Sequence, residues 1–241
     1  MTNFEPCAAE VMRRFANAMN GETIEMAGGV AGYLGPDFPM NAVKGMEGPA
    51  GQVELQRVIE FYGDRGLDAV LELAPWVESA SLDQLNRFGF AKVAEEDVMV
   101  RPSAAQEIEV DTIEGNEEWA RVLSLAFFGE VNALGLALGG CMKRFEGATC
   151  VGIQQQGALV AAAQLCVFDD VGLPCGDGTL ESHRGQGLQQ RLIRSRVGLA
   201  HQRNLPWVHS EVQPGSISQR NYQRCGFLCA YPRVHFVRPR Y

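Results

Sequence analysis

The stretch Thr179-Leu-Glu-Ser-His-Arg-Gly-Gln-Gly-Leu-Gln-Gln190 carries the most informative chemistry in the sequence. A strand ends, an Arg-Gly-x-Gly loop follows at residues 184–187, and an amphipathic helical pattern begins at once. Gly185 and Gly187 permit positive φ and let the backbone approach a ligand closely. The unsatisfied N–H groups of the helix's first turn then point at that ligand, and the helix dipole favours an anion. The chemistry is that of a phosphate cradle. It is not a P-loop, because no Gly-Lys-Ser/Thr follows. It is not the Gly-x-Gly-x-x-Gly dinucleotide fingerprint either, since the third glycine would fall at Gln190.

Charge supports an anionic ligand. The net charge is −8, but residues 184–241 hold ten arginines and one acidic residue, Glu211. Up to residue 105 there are 8 basic and 16 acidic residues, and from 106 onward 13 of each. The overall acidity argues against nucleic acid, whereas a phosphorylated small molecule needs only local positive charge. The four histidines (183, 201, 209, 235) show no metal-ligand spacing and no Cys/His cluster, so no metal is expected. Seven cysteines without a Cys-x-x-Cys fit reduced thiols better than a disulfide framework, and Cys225 reads as a small apolar packing residue.

The elements that must position the loop follow from periodicity. Leu188, Leu192, Ile193 and Ala200 form one helical face behind it. Residues 205–212 read as a strand, followed by a helix capped by Ser216 or Ser218. Upstream, residues 119–138 read mostly as helix, and 149–154 and 159–168 as strands joined by the Gln155-Gln-Gly157 hairpin signal. In the first half, Leu55, Val58, Ile59 and Tyr62 share a helical face, residues 67–73 form an apolar strand, and Ser81 can cap a helix. Near the start, Val11, Phe15 and Met19 share a face of a short helix over 8–19.

The chain also repeats itself. Asn86-Arg-Phe-Gly-Phe90 matches Gln223-Arg-Cys-Gly-Phe227 at an offset of 137, and Val100-Arg-Pro102 matches Val237-Arg-Pro239 at the same offset. Glu72 and Pro75 match Glu211 and Pro214 at 139. A shared offset at separated sites predicts two related domains, 1–105 and 106–241. Strands and helices alternate, so the class is mixed α/β. Apolar residues make up 46% and charged residues 21% of the 241, an ordinary globular balance that excludes disorder and coiled coil. No apolar run nears the ~20 residues that span a bilayer. No signal peptide is visible at the start, so a cytoplasmic location without membrane attachment is expected.

Taken together, Arg184-Gly-Gln-Gly-Leu-Gln189 and Ser218-Gln-Arg-Asn-Tyr-Gln-Arg-Cys-Gly-Phe227 resemble the GNAT superfamily of acyl-CoA-dependent N-acetyltransferases. The family's pyrophosphate loop runs Gln/Arg-x-x-Gly-x-Gly/Ala; Arg184 and Gly187 match it and Gln189 departs. The family's helix ending Tyr-x-x-x-Gly-Phe is matched by Tyr222, Gly226 and Phe227. The resemblance covers residues 107–241 and implies a mixed, mostly antiparallel central sheet flanked by helices in each domain. The first copy looks like a decayed unit, with Gly48-Pro-Ala-Gly51 where the loop should be and Leu85 in the place of Tyr222.

The resemblance further implies acetyl-CoA as co-substrate and an amine that attacks the thioester directly. The strand over residues 174–180 would pair with the pantetheine arm, and a backbone N–H of Thr179 or Leu180 would stabilise the oxyanion. The loop Gly185, Gln186, Gly187, Leu188 and Gln189 would hold the pyrophosphate, with Arg184 beside it. Tyr222 would protonate the leaving thiolate, and Glu211 (with His209 on its strand face), Asp177 or Glu181 would take the amine's proton. The expected protein is a pseudo-dimer within one chain, monomeric or homodimeric, acting on a small amine. The competing expectation is a non-catalytic acyl-CoA-binding sensor or regulatory module.

Overall fold

The computed structural model describes residues 3–36, 38–113 and 117–240. In chain order the elements are α1 (Glu5–Met19), β1 (Glu22–Met26), β2 (Gly29–Tyr33), β3 (Val43–Lys44), α2 (Gln52–Gly63), β4 (Ala69–Leu73), α3 (Pro75–Arg87) and β5 (Ala91–Pro102). There follow β6 (Asp111–Thr112), α4 (Glu117–Phe128), α5 (Ala133–Arg144), β7 (Thr149–Gln155), β8 (Ala158–Phe168) and β9 (Val171–Thr179). A short 3-10 turn, Glu181–His183, leads to α6 (Leu188–Gln202), β10 (Trp207–Val212), α7 (Ile217–Arg224) and β11 (Leu228–Arg238). The class is mixed α/β, as expected. Among the described residues no helix is long and apolar enough to cross a membrane.

The chain forms two compact units, Met1–Val98 with Cys229–Tyr241, and Met99–Leu228. This differs from a division at 105/106, because the last strand of the second copy belongs to the first unit. The reason lies in pairing and packing: β11 runs antiparallel to β4, with Val234 opposite Leu73 and Phe236 opposite Leu71. Those four side chains enter one core with Leu55, Val58 and Tyr62 of α2 and Val77 and Leu85 of α3.

In the first unit β1, β2 and β3 pair antiparallel in sequence, and β3 joins β4 in parallel. Helix α3 starts at Pro75, whose missing N–H costs nothing in a first turn. Ser81 is therefore not its cap; it is buried within the helix and accepts a hydrogen bond from the Ala50 N–H at 3.0 Å. Helix α1 buries Ala8, Ala9, Met12, Phe15 and Ala16, a face rotated from the expected Val11–Phe15–Met19 stripe toward its smaller residues. Its first residue, Glu5, is fully buried and accepts from Tyr231 and Arg233, both at 2.9 Å. Glu72, Glu96 and His235 bring ligand-type atoms within 4.8 Å of one another, and the Lys44 ammonium pairs with Glu72. The chain's own cation thus compensates that acidic pair.

The second unit holds the loop. Strands β6, β7, β8 and β9 pair antiparallel in sequence, and β10 joins β9 in parallel. The β7–β8 turn has Gln156 and Gly157 at φ 53° and 81°, the two positive angles that a two-residue hairpin needs. Residues 119–138 are not one helix: Gly129 at φ 76° ends α4, and the Asn132 side chain caps α5 by accepting from the Gly135 N–H at 2.8 Å. Ser216 caps α7, accepting from Gln219 N–H at 3.0 Å. The apolar face of α6 packs Leu188 and Leu192 against Val151, Val160 and Ala161, and Ile193 and Val197 against Val208 and Phe227.

Candidate functional site

The loop between β9 and α6 is open on its ligand side. Gly185 and Gly187 sit at φ 78° and 74°, and Gly187 is the N-cap of α6. A Cβ at either position would meet nothing within 4 Å, so backbone conformation rather than crowding calls for glycine there. The first helical bond runs from the Arg191 N–H to the Gly187 carbonyl at 3.1 Å. The N–H groups of Leu188, Gln189 and Gln190, in the first turn of α6, have no acceptor within the helix. These first-turn donors and the positive end of a fifteen-residue helix therefore lie at one place.

That place is a cleft of about 460 Å³, lined by Asp177, Thr179, Arg184, Gly185, Gly187, Leu188 and Gln189 among others. The Arg184 guanidinium is held by the carbonyls of Ala126 at 3.1 Å and Thr179 at 3.4 Å. Leu188 turns its side chain into the core, and the Gln189 side chain is tied to Ser218 and Asn221. Both residues line the cleft with their side chains held elsewhere, so Gln189 in place of Gly/Ala does not obstruct the loop. Two expected contacts lie outside the lining: the Gln186 side chain bonds Gln155, and the Leu180 N–H is taken by the Val160 carbonyl at 3.0 Å.

The matching segment of the first copy is closed by its own side chains. There the Gly51 N–H donates to the Glu54 carboxylate at 2.7 Å, and Ser81 takes the Ala50 N–H. A carboxylate already occupies the start of α2, which would repel a phosphate.

Next to the cleft, β9 and β10 part company. They pair only at Val171–Trp207 and Gly172–Val208, and the Ser210 hydroxyl reaches the Pro174 carbonyl at 3.0 Å. Beyond that, β9 bulges: its register on β8 slips between Cys175, opposite Gln164, and Gly178, opposite Ala162, with Gly176 at φ 65°.

Arg196 of α6 sits behind the bulge, fully buried. It donates to the carbonyls of Leu192 at 3.0 Å, Gln164 at 3.0 Å and Cys175 at 3.2 Å, and pairs with Asp177 Oδ1. Asp177 Oδ2 accepts the Tyr222 hydroxyl at 2.6 Å. Burial first, then the Asp177 charge, pushes the Tyr222 pKa well above 10, while Arg196 works in the opposite direction. Tyr222 is 1% exposed and stands behind Asp177, which itself lines the cleft.

The other expected acid–base groups are placed less directly. Glu211 is partly buried on β10, His209 on the same strand is fully buried, and neither is among the cleft-lining residues. Glu181 is exposed on the 3-10 turn. Arg196 was not anticipated, although a charged residue four places after Leu192, on the apolar stripe of α6, was a visible signal.

No protein-family model matches the chain, and no curated protein matches its sequence. Solved structures do match. A GCN5-related N-acetyltransferase from Kribbella flavida superposes with a TM-score of 0.69 at 18% identity, covering 96% of this chain and 95% of that one. A conserved protein of unknown function from Staphylococcus epidermidis gives 0.61 at 12% identity, over 92% and 96%. An acetyltransferase from the GNAT family of Colwellia psychrerythraea gives 0.53 at 15% identity, over 86% and 75%. At these identities the likeness concerns architecture, and the chain is built on the fold of the GCN5-related N-acetyltransferases.

Proposed function

We propose that the protein is an acyltransferase that moves an acetyl group from acetyl-CoA to an amine of a small-molecule acceptor, by direct attack within a ternary complex. One observation carries this reading: the start of α6, whose first-turn N–H groups have no acceptor in the helix, lies with Gly185 and Gly187 in the wall of the cleft. A pyrophosphate fits that donor set, and Arg184 and Arg224 in the cleft wall add positive charge. Thr179, the last residue of β9, also lines the cleft and suits the role of backbone partner for the pantetheine arm.

Direct attack requires the amine to lose a proton and the thiolate to gain one. Asp177 and Tyr222 are a joined acceptor and donor beside the cleft. When Asp177 takes the amine's proton, its own O–H can donate to the Tyr222 oxygen. The phenolic proton is then released from Asp177 and free to pass to the leaving sulfur, so the net change is one proton from nitrogen to sulfur. Glu211 is not among the cleft-lining residues, whereas Asp177 is.

The test is release of free thiol from acetyl-CoA on incubation with a panel of primary amines. Amine-dependent release supports the reading. A second reading, a non-catalytic acyl-CoA sensor, is favoured by the near-complete burial of Tyr222. It predicts saturable acetyl-CoA binding with no thiol release for any amine. The occupied start of α2 supports a single co-substrate site per chain.

A further inference from the structure

We infer that Arg196 is a positioning residue for the proposed transfer: its buried guanidinium fixes the β9 bulge and, through it, the orientation of Asp177 toward Tyr222. The inference rests on the acyltransferase reading. Arg196 occupies the apolar stripe of α6, where a leucine or methionine of similar volume would fill the space without stripping a charge of water. What an apolar residue could not do is bind the bulge. Gln164 and Cys175 are the last register pair before the slip, and the carbonyls of both accept from Arg196 Nη1. The β8–β9 register slips just beyond this pair, so the guanidinium grips both strands at the edge of the bulge. The same planar group reaches Asp177 Oδ1 two residues further along β9, while Nε is anchored on the Leu192 carbonyl of its own helix.

One rigid fork thus ties helix, both strands and carboxylate together. With Oδ1 held by Arg196, the carboxylate presents Oδ2 to the Tyr222 hydroxyl. A lysine would bring the charge without the fork: a single ammonium on a flexible stem cannot meet acceptors spread around a guanidinium plane. The loop that carries the phosphate-type donors, Gly185 to Gln189, makes no contact with Arg196 in this network, so binding and positioning are separable.

The experiment is Arg196→Lys, read three ways. The inference predicts acetyl-CoA affinity within about threefold of wild type, a kcat lower by about 10- to 100-fold, and an acceptor KM little changed. It also predicts that backbone amide resonances of Gly176 to Thr179 shift while those of Gly185 to Gln189 stay. An unchanged kcat with unchanged amides overturns it. If the wild-type protein transfers no acyl group to any amine, the acyltransferase reading fails, and the amide shifts alone decide whether Arg196 holds the bulge. If Arg196→Lys does not fold, nitrogen-15 arginine labelling of the wild-type protein decides. A slowly exchanging, rotationally restricted guanidinium that shifts in Tyr222→Phe is expected, and a freely rotating one that ignores Tyr222→Phe overturns the inference.

Discussion

The Tyr222 hydroxyl donates to Asp177 Oδ2 at 2.6 Å, joining helix α7 to the bulge of β9. The tyrosine that the resemblance marks as an acid is therefore already engaged, and its raised pKa makes it a reluctant donor to a thiolate with an ordinary pKa near 8.5. Proton delivery from Tyr222 requires that Asp177 be protonated first. The two residues act as one unit or not at all.

Removing the hydroxyl tests this directly. Tyr222→Phe keeps the ring packed edge-to-face on Phe227, whose centroid lies 4.9 Å away. We expect kcat to fall by about 10²- to 10⁴-fold, with acetyl-CoA affinity unchanged, in steady-state and calorimetric measurements. An unaltered kcat would remove Tyr222 from the mechanism.

Asp177→Asn should act on stability as well as activity. The substitution leaves the Arg196 charge buried without its counter-ion, since Arg196 has no exposed side-chain surface. Urea unfolding should show a loss of about 3 kcal/mol, against less than about 0.5 kcal/mol for an exposed control such as Gln202→Ala. Equal losses in the two variants would mean that Asp177 does not compensate Arg196.

The cradle was legible in the sequence because its cause is local. An Arg-Gly-x-Gly before an apolar helical stripe leaves little choice of backbone, and Gly185 and Gly187 take the positive φ that their type allows. The Gln156-Gly157 hairpin and the Ser216 cap were legible for the same reason. What escaped depends on partners distant in sequence. Ser81 looked like a cap but serves Ala50, 31 residues away. Strand β11 pairs with β4 through Val234–Arg238, and nothing in its own residues says which copy it joins. Arg196 escaped because helical periodicity treats a charge on an apolar face as an interruption, whereas here the bulge of another element supplies its acceptors.

Cys229 offers a check on the electrostatics of the first unit. Its thiol lies at the surface, yet partial burial and the neighbouring Asp97 carboxylate push its pKa up to about 11. The thiolate is the reactive form, so at pH 8 only about one part in a thousand is available. Native-state labelling of Cys229 with a disulfide reagent should run about 10- to 100-fold slower than labelling of the unfolded chain. The rate should rise about tenfold per pH unit from 8 to 10, and Asp97→Asn should speed it at pH 8. A rate already on its plateau at pH 9 would show an ordinary thiol.

The central claim is that the N–H row at the start of α6 binds the co-substrate, and calorimetric titration with acetyl-CoA tests it most directly. The wild-type protein should show saturable binding of one acetyl-CoA per chain, because the start of α2 is closed by Glu54 and Ser81. Gly187→Glu should abolish it, since the new carboxylate would fill the open space before Leu188 and repel the pyrophosphate. Absence of binding by folded wild-type protein, or equal binding by Gly187→Glu, would contradict the account.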